Sequence, residues 1–132
     1  MARWSLIEDP TVRVLLKDFA EFCKRIGGEL STTVSKGLAT VSCIVPSRSV
    51  SVTLSRRERL ASISVSVGGE KFEGYIALHP SEEIVLEVPS GGTSFLSSLD
   101  HEYIHVRKSD ASAIMLTYEK REGMEKLTIV AI

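Results

Sequence analysis

Two side chains are missing from this sequence altogether. None of its 132 residues is Asn and none is Gln, where ordinary usage would supply roughly ten. Amide side chains hydrolyse when hot, and proteins of hyperthermophiles are depleted in them. The composition therefore points to a hyperthermophilic source, most simply an archaeal one. The same absence bears on function, because Asn and Gln are the side chains that read adenine bidentately in the major groove. Fine sequence-specific DNA recognition is disfavoured, although arginine can still grip phosphate or guanine.

Other scarcities narrow the class further. No apolar run is long enough to cross a bilayer, and the opening MARWSLIEDP carries acids where a secretory signal needs an apolar stretch. A non-membrane, cytoplasmic protein is expected. Cys23 and Cys43 are the two cysteines. They lack the CxxC or Cys/His spacing of a zinc knuckle. Each lies on an apolar face, so buried thiols in a reducing compartment are the first expectation and a disulfide the second. There is no GxSxG, P-loop or GxGxxG, so no serine triad, nucleotide cradle or dinucleotide fold is indicated, and no cofactor is expected.

What is present reads as a single folded domain over 1–132. Apolar residues make up 43% and charged residues 25%, the balance of a globular chain. The net charge of -1 conceals an asymmetry. Residues 1–66 carry 10 Lys/Arg against 6 Asp/Glu, or +4, and residues 67–132 carry 6 against 11, or -5. Such a chain suits self-association or a charged partner unless the fold interleaves the halves.

One helix is well specified. Asp9 reads as its N-cap and Pro10 as its first residue. Val12, Leu15, Leu16, Phe19, Phe22, Cys23 and Ile26 then recur at spacings of three and four and make one apolar stripe. Lys24 and Arg25 suit the negative end of the dipole, and Gly27 supplies a left-handed stop. Beyond Gly28 the period becomes 2. Strands are expected at Leu38–Val45, Ser49–Leu54, Ala61–Val67, Lys71–Leu78 and Ile84–Val88, with a further one near Trp4–Ile7. A short helix is expected at Ser94–Leu99, near residues 93–99, capped by Thr93. Three strands follow, Tyr103–Lys108, Ala113–Tyr118 and Leu127–Ile132, joined by turns at Ser109-Asp110 and Glu122-Gly123. A helix segregated from mostly antiparallel strands is the α+β pattern. From residue 84 onward, strand, helix and three strands resemble in order the half-unit of sliding-clamp domains, a likeness of fold with no functional content.

Three features bear on function. The first is His101-Glu102-Tyr103-Ile104-His105, which fits HExxH and resembles the zinc motif of zincin metallopeptidases. The resemblance implies zinc ligands at His101 and His105, a general base at Glu102, and a third ligand from Glu119, Glu122 or Glu125. It requires a helix, where i and i+4 share a face. The local alternation reads instead as a strand, on which the two imidazoles would stand about 13 Å apart. The second feature is Arg56, Arg57 and Arg59 in what reads as a polar hairpin loop, a cationic knob able to hold phosphates. Phe72 and Tyr75 fall on opposite faces of the next strand and form no stacking platform beside it. The third is a run of Ser and Thr facing one side of consecutive strands, leaving a surface that another sheet or subunit could approach closely. Together these favour a small non-catalytic interaction module, an accessory subunit that takes a protein partner or its own copy. Weak non-specific nucleic-acid binding through the arginines is the second mode. A zincin-type hydrolase is the alternative.

Overall fold

The computed structural model describes residues 9–77, 83–87, 95–97 and 102–132. The proposed strand near Trp4–Ile7 lies outside them. The helix forms where its signals place it. Helix α1 spans Pro10–Arg25, and the Asp9 carboxylate accepts from the N–H groups of Thr11 and Val12 at 2.9 and 3.4 Å. Gly27 takes the left-handed conformation, with φ +77°. The whole predicted stripe is buried, including Leu16, Phe19 and Phe22 with no exposed surface.

Eight strands follow: β1 Glu29–Ser35, β2 Leu38–Arg57, β3 Leu60–Val67, β4 Glu70–Ala77, β5 Glu83–Glu87, β6 Phe95–Ser97, β7 Glu102–Arg121 and β8 Met124–Ala131. They form one sheet in the order β4-β3-β2-β7-β8-β5-β6, with β1 also paired to β2. Every pairing is antiparallel except β5 with β8. One helix on a mostly antiparallel sheet makes the domain α+β. The expected helix at 94–99 is not formed over Phe95–Ser97, which pair with Leu86–Ile84 as an edge strand. The rest of that helix lies outside the described residues. A helix needs several hydrogen-bonded turns to repay nucleation, and a segment of about two turns competes poorly with a neighbouring strand. The strand order with a helix after residue 84, on which the sliding-clamp likeness rests, is therefore absent over Phe95–Ser97.

The centre of the sheet differs from the sequence reading in one instructive way. Leu38–Val45 and Ser49–Leu54 are not two strands but parts of β2, and Tyr103–Lys108 and Ala113–Tyr118 are parts of β7. Ser109-Asp110 is strand, not turn. The β2–β7 register slips between Ile44 and Arg48 and again between Arg48 and Val50. Odd residues of β2 are buried up to Val45 and even ones from Val50; on β7 Ala111 is buried and then Ile114, Leu116 and Tyr118. A bulge inserts an unpaired residue, so the alternation changes phase while the apolar side chains stay on one face. It also bends both strands together. Arg48 sits at the bend, and its guanidinium donates to the Ile26 carbonyl at 2.8 Å, closing the C-terminal end of α1.

The helix lies across the apolar face, antiparallel to β4. Arg25 meets Glu70 at 3.1 Å at one end, and Leu15 packs on Gly74 further along. Phe72 rises between Phe19 and Phe22, with ring centroids 5.4 and 5.9 Å away. Gly74 permits this approach, because an added Cβ would overlap the Leu15 Cδ1 and lie 3.1 Å from the Phe72 ring. The cysteines correct the first expectation: Cys23 of α1 and Cys43 of β2 are joined as a disulfide, Cα atoms 5.6 Å apart, with no exposed surface. Twenty residues separate them in sequence, but the return of β2 beneath the helix brings them together. Gly28 fits against the pair, since a Cβ there would run into both sulfurs.

Candidate functional site

With α1 on one face, the other face of the β4-β3-β2-β7 region is left without a second layer among the described residues. The registers specify what lies on it. One row across the strands reads Lys71, Ser66, Ser51, Arg107; the next reads Glu73, Ser64, Thr53, His105; the third contains Tyr75, Ser62 and Ser55. The six central side chains are all hydroxyls and half-buried, whereas Lys71, Glu73, Tyr75, His105 and Arg107 at the margins are exposed. The result is a flat floor of small polar groups with taller side chains on either side. Its sequence origin is the strict alternation of Ser and Thr with Val, Leu and Ile, which sends one set to the helix and the other outward.

The arginines divide between two environments. The strands β2 and β3 run to Arg57 and Leu60, leaving a turn of two residues, Glu58 and Arg59, where Glu58 has φ +55°. The expected polar loop of five residues is therefore mostly strand. Arg57 continues the phase of Ser51, Thr53 and Ser55, so it extends the outer face and is exposed. Arg59 is exposed at the turn. Arg56 takes the opposite phase with Val52 and Leu54, is only 3% exposed, and donates from Nε to the Glu58 carbonyl at 3.3 Å. The knob of three arginines is thus a pair, with Arg56 bracing the turn from inside. The phase of Val50, Val52 and Leu54 carries this signal, once the turn is taken as two residues long.

The described part of the HExxH segment, Glu102–His105, does not take the helical conformation that zinc binding needs. Glu102–His105 belong to β7, and His101 lies outside the described residues. On extended backbone, residues four apart are separated by about 13 Å, beyond the reach of a shared metal. His105 is exposed on the outer face, its Nδ1 2.7 Å from the Thr53 hydroxyl. The other residues of the zincin reading are not on a helix: Glu119 lies in β7, Glu122 in the β7–β8 turn and Glu125 in β8. Among the described residues no three His, Cys, Asp or Glu side chains are grouped to hold a metal ion. Glu119 bonds Arg121, and Glu125 lies 3.7 Å from Lys120.

The charge asymmetry along the chain is partly mixed by the fold. Strand β4, from the acidic half, flanks β3 of the basic half, and β7 pairs with both halves of β2. On the outer face Lys71 and Glu73 form an ion pair at 2.9 Å. Arg57 and Arg107 remain as the cationic ends of the hydroxyl floor, with His105 between them on the β7 side. None of the described helices is long and apolar enough to cross a membrane. Comparison with protein-family models, with curated proteins and with solved structures finds no match to this chain.

Proposed function

We propose that this chain is a small non-catalytic binding module whose working surface is the outer, hydroxyl-lined face of its sheet, and that its partner is an acidic protein surface. The observation that carries this reading is the composition of the floor: six half-buried hydroxyls in register on β2 and β3, between Arg57 and Arg107. Small side chains permit close approach, and hydroxyls can both donate and accept, so the face can meet a polar surface without leaving groups unsatisfied.

Size and charge decide which partner is favoured. Three rows of about 7 Å and four strands of about 4.8 Å give a patch of roughly 400 Å². A complex would bury roughly 800 Å² in total, below the range of stable interfaces, so association through this face alone is weak and transient. Among the described residues, the charged groups of this face outside the Lys71–Glu73 ion pair and His105 are Arg57 and Arg107, which disfavours face-to-face pairing of two copies and favours a carboxylate-bearing partner. Tyr75 and Leu60, 58% and 50% exposed, add apolar contact at the same end as Arg57. Nucleic acid is the second reading, favoured by the placement of Arg57 on the floor and Arg59 beside it. The net charge of -1 opposes a long polyanion, whereas a compact acidic surface need meet only this face.

The test uses two labelled probes at low salt, an oligoglutamate and an oligothymidine, each of about 20 units, where exposed charges are least screened. Wild-type protein should bind the oligoglutamate, and the paired change Arg57→Glu with Arg107→Glu should remove the binding. Stronger binding of the oligothymidine would transfer the proposal to nucleic acid. Binding of neither probe would refute the outer face as a polyanion-accepting surface.

A further inference from the structure

We infer that the groove between α1 and β4 is a second docking site, of opposite charge, which takes an extended cationic peptide as an added strand. The inference does not depend on the reading of the outer face. It starts from the position of β4, which ends the sheet and among the described residues pairs only with β3. The outer side of such a strand presents backbone donors and acceptors in the spacing of a missing neighbour, and an extended chain is the partner that matches them.

The helix beside this edge turns it into a groove. Because Gly74 has no side chain, Leu15 comes down onto the strand backbone, and α1 is held close enough to wall one side. The groove is an open depression of about 450 Å³ lined by Pro10, Val14, Leu15 and Asp18 of the helix and Glu73–Tyr75 of the strand. Two of these are conspicuous for their exposure. Val14 is 57% exposed on a helix whose other large apolar side chains are buried, and Tyr75 is 58% exposed on the strand opposite. A strand laid along β4 would set its helix-facing side chains on Val14 and Leu15 and its alternate set beside Tyr75, on the outer side of the sheet.

Charge selects the sequence of that strand. The charged side chains lining the groove are Asp18 and Glu73, both carboxylates. Glu73 is paired with Lys71, but no described cation lies within ion-pair distance of Asp18. A peptide alternating apolar residues with Lys or Arg fits both sides of this edge, the apolar set packing on Val14 and Leu15 under α1 and the basic set turned to the outer side, where Glu73 lies, while Asp18 adds negative charge on the helix side of the groove.

The probe is a labelled heptapeptide of alternating lysine and valine, acetylated and amidated, followed by fluorescence anisotropy and by the amide NMR spectrum of the isotope-labelled protein. Binding with a Kd of about 1 mM or tighter is expected. The shifted amides should be those of Glu70–Ala77 and of the α1 residues around Val14 and Asp18. Asp18→Lys and Val14→Ser, both at exposed helix positions, should each weaken binding by about fivefold or more while leaving the melting temperature within a few degrees of wild type. A peptide with glutamate in place of lysine should not bind. Equal binding of the two peptides, indifference to both substitutions, or amide shifts confined to β2 and β3 would overturn the assignment. Failure here would leave the outer face untouched, since that surface is tested with acidic probes and with Arg57 and Arg107.

Discussion

Gly74→Ala probes the contact that fixes the helix on the sheet. The added methyl group would overlap Leu15 Cδ1 and press on the Phe72 ring at 3.1 Å, and both neighbours are buried at 4% exposure. Leu15 can rotate only by losing contacts with the core, so overpacking should cost about 1–3 kcal/mol. Alanine restrains the unfolded chain more than glycine, which offsets about 0.5–1 kcal/mol. The net expectation is a loss of about 0–2.5 kcal/mol by guanidinium denaturation. Coupling is the sharper readout. Leu15→Ala alone should cost about 2–5 kcal/mol through the cavity it leaves. With Gly74→Ala already present, the new methyl occupies part of that space, and the second change should cost about 1–2 kcal/mol less than in wild type. Additivity of the two changes to within about 0.5 kcal/mol would refute the packing of Leu15 on Gly74 and the closeness of α1 to β4 that follows from it.

Other expectations follow from the same structure. Cys43→Ser should cost about 3 kcal/mol by the loop-closure argument for a loop of about 20 residues, and a reductant during denaturation should produce a similar loss in wild type alone. An unchanged midpoint under reduction would mean that the two sulfurs are not bonded. Leu16→Ala or Phe19→Ala should each lose about 2–5 kcal/mol, and a loss under about 0.5 kcal/mol would mean that the stripe does not face a core. Protein purified without a metal-affinity tag should carry no stoichiometric zinc; one zinc per chain, lost on His105→Ala, would restore the zincin reading. The amide-free composition predicts a melting temperature above the mesophile range of about 45–65 °C, as calorimetry would measure it.

How much of this was legible in the residues depends on the range of the interactions involved. The helix was, because its cap, its Pro10 start, its stripe and its Gly27 stop are all local signals. The hairpin of β3 and β4 was, because Gly68-Gly69 separates two clean alternations. The long strands were not. A bulge at 44–50 of β2 and its counterpart near 108–113 of β7 change the phase of the alternation, and in sequence a change of phase is indistinguishable from a turn. Ser109-Asp110 has turn chemistry yet lies within β7, at the register slip where neither residue has a β2 partner and the pairing on both sides carries the strand through. The disulfide depends on β2 returning under α1, a contact that spacing cannot disclose. The hydroxyl face was visible strand by strand, but its continuity across β2 and β3 required the registers. The groove under α1 required Gly74 to be placed opposite Leu15, for which the sequence has no local signal.

The claim most exposed to test is that the outer face of the sheet is where this protein binds. Titration of isotope-labelled protein with the oligoglutamate, followed by amide NMR at low salt, addresses it directly. The shifts should cluster on Ser51–Arg57, Leu60–Ser66 and His105–Arg107, fade as salt screens the arginines, and vanish in the Arg57→Glu, Arg107→Glu protein. Shifts scattered over α1 and β8, or equal shifts in that variant, would contradict the account.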